Sequence, residues 1–150
     1  GLLYPSRAVR GQRYKLVHNL LTDRPNPAED YYTQHTRIDV GCTQHEIDAA
    51  PPHVRQTYAR WRNPPEFELY DLDSDPCEWR NLADEPTLAS VRDELARVLQ
   101  QWRETSGDPL LDVDKFARFV AHHDEVCSRD QPVRDVPGFR WPYVSDFAPT

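Results

Sequence analysis

Apolar and polar residues alternate in short stretches near the start and middle of the chain, and recur at helical spacing further on. Residues 4–10 and 13–20 read as two strands, joined at Gly11-Gln12 with Gly11 in the φ > 0 position of a tight turn. In the second strand Tyr14, Leu16 and His18 share one face, with Lys15 and Val17 on the other. Phe67, Leu69 and Asp71 alternate with Glu68, Tyr70 and Leu72, which predicts a third strand. The Asp71-Leu72-Asp73-Ser74-Asp75-Pro76 run that follows is turn chemistry, because Asx side chains cap their own backbone and Pro presets φ. Leu88, Val91, Leu95, Val98, Leu99 and Trp102 then form an apolar stripe along a helix over 85–104. Asp84 is its expected N-cap, Pro86 fits the first turn and Gly107 is its expected terminator. At roughly 1.5–3 kcal/mol per large side chain, burying that stripe contributes on the order of 10 kcal/mol before entropy. The helix therefore has to dock, most simply on the sheet.

Between these elements the pattern weakens. Residues 22–30 read as a loop and 31–65 as a loop-rich insertion holding two short helices. One spans 43–50 and ends at Pro51-Pro52; the other spans 53–62, with Val54, Tyr58 and Trp61 on one face. A last helix over 114–127 carries Phe116, Phe119, Val120 and Val126, and prolines and aromatics from Ser128 onward suggest an extended tail. The expected fold class is α+β: a small antiparallel sheet of three to four strands packed by the long amphipathic helix. Its expected division is a sheet-and-helix subdomain at 1–111 (insertion about 22–65) and a C-terminal extension at 112–150.

Composition narrows the possibilities. The 150 residues carry a net charge of -7, and the cations, nearly all Arg, are scattered, so nothing in the charge balance favours nucleic acid or an anionic membrane. No apolar run approaches the ~18 residues of a membrane span. The 3 cysteines, Cys42, Cys77 and Cys127, form no disulfide framework and are expected as free thiols. With 14 Pro and a mean hydropathy of -0.82 the chain is lean for a self-sufficient fold. It contains no methionine, and we expect it to be the C-terminal portion of something larger.

Three blocks resemble the C-terminal region of the sulfatase family. They are Y-P-S-R-A-V-R-G-Q-R-Y-K-L-V-H-N-L at 4–20, E-L-Y-D-L-D-S-D-P-C-E-W-R-N-L-A at 68–83, and L-Q-Q-W-R-E-T-S-G-D-P at 99–109. The L-V-H-N-L and E-L-Y-D elements look most similar to the sulfamidase-like members; residues 112–150 have no clear counterpart. The resemblance implies a parent α/β hydrolase of the alkaline-phosphatase superfamily that cleaves sulfate esters or N-sulfate on sugar-type substrates. It also implies a formylglycine nucleophile and a Ca²⁺ ion, both in an N-terminal catalytic domain that is this chain's expected partner. The chain would be non-catalytic, shape the substrate pocket and stabilise that domain. Alternatives are a stand-alone interaction module derived from a sulfatase tail, or the tail of a related phosphate- or phosphonate-ester hydrolase. An isolated chain is expected to self-associate through the surface its partner would cover.

Candidate chemistry is sparse. Leu3-Tyr4-Pro5-Ser6-Arg7 imitates the sulfatase nucleophile motif, but Leu3 stands where Cys or Ser is required, and leucine cannot become an aldehyde hydrate. No catalytic residue is expected. Arg7, at the start of the first strand, is a candidate for holding a sulfate or carboxylate bidentately, and His18 a candidate for approaching the substrate. Their bland readings are an inter-domain salt bridge and a satisfied polar residue at the sheet edge. Asp71, Asp73 and Asp75 open like a calcium loop, but Pro76 and Leu82 stand where that loop needs Gly and Glu. Cys42-x-x-His45, with His35 upstream, and His122-His123 lack the second tight pair that a closed zinc site needs, so no metal is expected. Arg55, Arg60, Trp61 and Arg62 mix cations and aromatics, for which Arg–aromatic packing is the default reading.

Overall fold

The computed structural model describes residues 3–34, 42–127 and 136–140. They form β1 (Ser6–Arg10), β2 (Tyr14–Asn19), α1 (Pro27–Gln34), α2 (Gln44–Ala49), α3 (Pro52–Arg62), β3 (Phe67–Asp71), α4 (Ala89–Thr105) and α5 (Val113–Cys127). Single 3-10 turns at Pro86–Leu88 and Pro109–Leu111 precede the last two helices. The architecture is the expected small α+β fold. The chain divides into two compact units, Leu2–Gln101 and Trp102–Thr150.

In the first unit the three strands form an antiparallel sheet in the order β1-β2-β3. Leu16 pairs with Val9 on one side and Leu69 on the other. Leu16 and Leu69 are fully buried, and Val9, Tyr14, Phe67, Leu82, Leu88, Val91, Leu95 and Ala96 pack around them and Ala83. The helical stripe thus covers the sheet face that period-two alternation makes apolar. Leu99 is buried as well, but Val98 and Trp102 are 38% and 53% exposed, contrary to the expected stripe.

Several boundaries differ from the sequence reading. Gly11 is not in the left-handed region; its N–H donates to the Tyr14 carbonyl at 2.8 Å, so the turn centres on Gln12-Arg13. Asp84 is not the N-cap. It sits in a turn where the Glu85 N–H already bonds the Leu82 carbonyl, and the helix enters through the 3-10 turn at Pro86–Leu88. Residues 27–30, read as loop, open α1. The Asn26 side chain accepts from the Ala28 N–H at 2.9 Å, and Pro27 follows at the first helical position. That Asn-Pro-x-Glu start was legible, but the polar stretch after it shows no apolar stripe. The two expected short helices are present, α2 with a reciprocal Thr43–Glu46 capping box. Among its described residues the insertion is largely helical, with α1 and α2 set against α3.

In the second unit Gly107 ends α4 at φ 66°, as expected. The Gly107 and Asp108 N–H groups bond the carbonyls of Glu104 and Arg103 at 3.2 and 2.8 Å, the paired bonds of a Schellman motif. Arg103, buried, donates to Asp108 at 2.8 Å. Helix α5 starts one residue earlier than expected, capped by Asp112, whose carboxylate accepts from the Lys115 N–H. The expected extended tail lies outside the described residues, apart from a turn in which the Phe139 N–H bonds the Val136 carbonyl at 3.1 Å.

Truncating Leu16 to Ala should cost about 2–5 kcal/mol, because Leu16 is fully buried and paired with Val9 on one side and Leu69 on the other. Gly11→Ala should change stability by less than about 1 kcal/mol, since a Cβ there meets only the Tyr14 carbonyl oxygen, 3.6 Å away. Chemical denaturation of the two variants checks both, and a large loss in Gly11→Ala would contradict the turn geometry.

Candidate functional site

The second face of the sheet is polar. Alternation places Ser6, Lys15, Val17, Asn19, Glu68 and Tyr70 there, opposite the Leu16–Leu69 core. Helix α3 brings Thr57, Arg60 and Trp61 over this face, and the loop after β3 brings Cys77 and Glu78. With Tyr4, these residues other than Lys15 line a groove of about 320 Å³.

Glu68 is the hub of the groove. One carboxylate oxygen accepts from Asn19 Nδ2 at 2.8 Å; the other accepts from the Tyr70 hydroxyl and lies 3.2 Å from Arg60 Nε. Asn19, buried, also donates to the Pro65 carbonyl at 2.7 Å. Arg60 reaches on to the Glu78 and Trp79 carbonyls, both at 3.2 Å, and stacks 5.8 Å from the centre of the Tyr70 ring. Burial first, then the bond to Glu68, hold the Tyr70 phenol well above its ordinary range. Burial and the Glu68 charge do the same for Tyr4.

The loop carrying Cys77 and Glu78 is held from the sheet. Glu78 takes φ 59°, a left-handed conformation that is costly for a residue with a side chain. Lys15 Nζ grips both its carboxylate oxygens at 2.7 and 2.8 Å, while Arg60 holds its carbonyl. One residue group earlier, Arg13 binds Asp71 bidentately at 2.9 and 2.7 Å. That bond keeps the Asp71 carboxyl at about 2, against the usual 3.8. Asp71 is therefore the anchor of the acidic turn.

On its outer edge β3 is closed by Asn81. The Asn81 side chain accepts from the Leu69 N–H at 2.9 Å and donates to the Phe67 carbonyl at 3.2 Å, and the Leu82 N–H bonds the Leu69 carbonyl at 2.8 Å. Asn81 and Leu82 thus substitute for a fourth strand on an edge that would otherwise be open to pairing with another chain.

Arg7 and His18 are brought together: they are direct partners across β1 and β2. They lie on the face of the sheet that α4 covers, not in the groove. His18 stacks on Phe67 with ring centres 4.6 Å apart, and its Nε2 lies 3.7 Å from Glu66. It sits near the end of the central strand rather than on an edge strand. Arg7 Nη1 donates to the Ser6 carbonyl at 3.0 Å. Leu3, at the pseudo-nucleophile position, is buried.

The other candidates disperse. Cys42 Sγ meets the Tyr58 hydroxyl at 2.5 Å. That contact, with burial second, pushes the Tyr58 phenol up to about 12. His45 is exposed on α2, and His35 lies outside the described residues. Cys42 and Cys77 are free thiols. Among the described residues no group of three or more His, Cys, Asp or Glu side chains is placed to hold a metal. Of the cation–aromatic set, Arg60 and Trp61 reach the groove, while Arg62 lies 3.5 Å from the buried Glu29 of α1. The sequence reading did not single out Asn19, Glu68 or Tyr70. Strand alternation marked Glu68 and Tyr70 as sharing a face, but Asn19 and Arg60 come to them from other elements.

The fold and the two motif blocks locked together across β2 and β3 define the class of protein. The chain belongs to the sulfatase family, and its small α+β fold fits a C-terminal domain of that family. It is 34% identical to the human N-sulphoglucosamine sulphohydrolase over 109 residues, which is 71% of this chain and 21% of that relative. It is 31% identical to an ulvan-active sulfatase of Formosa agariphila over 117 residues, 72% of this chain and 19% of the relative. A second ulvan-active sulfatase of the same organism aligns at 31% over 106 residues, 68% of this chain and 17% of the relative. The chain thus spans about a fifth of the length of the curated relatives it matches. No family model matches it.

The Arg13–Asp71 bond makes stability depend on pH with a definite sign. The Asp71 carboxyl is lower in the folded chain than in the unfolded one. Its contribution is therefore complete above about pH 4 and lost as pH falls through about 2. The wild-type chain and Asp71→Asn should differ in stability at neutral pH and converge toward pH 2. Denaturation midpoints measured across that range check this, and a difference that stays constant down to pH 2 would contradict it.

Proposed function

We propose that this chain is the C-terminal, non-catalytic part of a sulfatase, sulfamidase-like in kind, whose whole protein hydrolyses sulfate esters or N-sulfate on sugar-type substrates. One observation carries the reading: about 70% of the chain aligns with sulfatases at 31–34% identity while covering about a fifth of their length. In this reading the domain packs against the catalytic domain, stabilises it and contributes to the wall of the substrate pocket. Arg7 and His18, adjacent across β1 and β2, are its proposed substrate-facing pair. A guanidinium there suits a sulfate or carboxylate, because its donor fork matches two oxygens at once.

The formylglycine nucleophile and the Ca²⁺ ion of such an enzyme would belong to the catalytic domain. The residues present here do not fit either. Leu3 has no heteroatom to oxidise, and the Asp71 carboxylate is taken by Arg13. No step of the reaction runs through a group on this chain.

The purified 150-residue chain should release no sulfate from 4-nitrophenyl sulfate or from an N-sulfated glucosamine, with or without added Ca²⁺. Metal-dependent turnover by the chain alone would overturn the non-catalytic role. Added to a separately produced sulfatase catalytic domain of the same gene, the chain should raise that domain's melting temperature. No shift at saturating concentration would count against the structural partnership.

A further inference from the structure

We propose that the outer edge of β1 is a self-pairing surface, on which β1 of a second copy of this chain adds antiparallel to make one continuous sheet across the two copies. The inference rests on the sheet alone and not on the activity proposed for the whole enzyme.

The register fixes which main-chain groups are open. In an antiparallel ladder, residue pairs that exchange bonds alternate with pairs that do not. The Gly11 N–H bonds the Tyr14 carbonyl and the Leu20 N–H bonds the Pro5 carbonyl, so between them Val9 exchanges bonds with Leu16 and Arg7 with His18. Ser6, Ala8 and Arg10 therefore aim their N–H and C=O groups away from β2. Among the described residues nothing meets those of Ala8 and Arg10, both of which are exposed. The Ser6 carbonyl accepts from the Arg7 guanidinium at 3.0 Å and keeps a second lone pair for another donor. The far edge is the opposite case. There the outward groups of Phe67 and Leu69 are met by Asn81 and Leu82. One edge of the sheet is closed, and the other offers a row of main-chain donors and acceptors to an incoming strand.

The residues of β1, Ser-Arg-Ala-Val-Arg, suit an antiparallel copy of themselves. The register that uses all 5 residues has its two-fold axis at Ala8. It sets Ala8 against Ala8, Ser6 against Arg10 and Arg7 against Val9, so no cation lies directly opposite a cation. Sliding by about two residues is the next step that keeps the bonding pattern. It shortens the pairing to the central part of the strand, and in one direction it sets Arg7 against Arg7. Ala8, at the axis, is the smallest side chain of the strand, so it does not obstruct a neighbouring backbone.

The test is sedimentation equilibrium of the 150-residue chain from about 10 μM to about 1 mM. These concentrations bracket a dissociation constant of about 100 μM, in the weak range of an interface below ~1,200 Å². The mass should rise from 17.5 kDa toward that of a dimer. Ala8→Pro removes an outward N–H that the fold does not use, and should stay a monomer at every concentration. Amide hydrogen exchange on the wild-type chain keeps the test decisive if that variant does not fold. The Ala8 and Arg10 amides should exchange severalfold more slowly in the concentrated sample than in the dilute one. The proposal is overturned if the wild-type chain stays a monomer at about 1 mM, ten times the expected constant. It is equally overturned if Ala8→Pro associates as the wild type does, or if the protection gained on association falls on other amides. Protection of Ala8 and Arg10 only on adding the separately produced catalytic domain of the same gene would make that domain the occupant of the edge, and would also overturn it.

Discussion

The pairing of Leu16 with Leu69 across β2 and β3 is the contact on which the other arrangements depend. It puts two fully buried leucines at the centre of the sheet and gives α4 a surface to cover. It also sets the register for everything on the opposite face. A one-residue slip of β2 against β3 would turn Leu16 outward and carry Lys15 into the core, which burial energetics forbid. With the register held, Arg13 meets Asp71, Lys15 reaches Glu78 and Asn19 reaches Glu68. Two of the three sequence blocks that carry the sulfatase resemblance, 4–20 and 68–83, are thus each other's binding partners.

The polar face follows from the apolar one. Once alternate residues of the strands are committed to the core, Glu68, Tyr70 and Asn19 must face the other way, partly shielded by α3. Charges so shielded are tolerable only when paired and hydrogen-bonded. Arg60 meets that requirement, since one guanidinium serves Glu68, two backbone carbonyls and the Tyr70 ring. The same network pairs each carboxylate of the groove with a cation, Glu68 with Arg60 and Glu78 with Lys15.

The edge of the sheet is managed locally. A three-stranded sheet exposes two edges, and on β3 Asn81 and Leu82 satisfy backbone groups that would otherwise be open. This gives a physical reason for an asparagine and a leucine ten or more residues after the strand begins. They complete the strand, and only then does the chain turn through Pro86–Leu88 into α4.

Much of this was legible from residue order. Alternation of two for 14–18 and 67–71, and three-and-four spacing for 88–99, reflect which side of an element must leave water. Gly107 was legible because a left-handed residue at a helix end is chemically restricted. Where local signals were weak or read too generously, tertiary context decided. Gly11 had the freedom for φ > 0, but the turn centred on Gln12-Arg13 did not require it; Asp84 had the chemistry of a cap, but the turn before the helix used the chain there first. Trp102 fitted the stripe, but is exposed. By itself the sequence determined the strands, the long helix, the sulfatase kinship and the lack of a nucleophile at Leu3, because these depend on residue type and near-neighbour spacing. Only the tertiary structure decided that Asn19, Glu68, Tyr70 and Arg60 form one network around a groove, and that Arg7 and His18 lie on the opposite face. The network joins residues from different elements, Asn19 from β2, Arg60 from α3 and Glu68 from β3, and no local pattern encodes which side chain will fill a given acceptor.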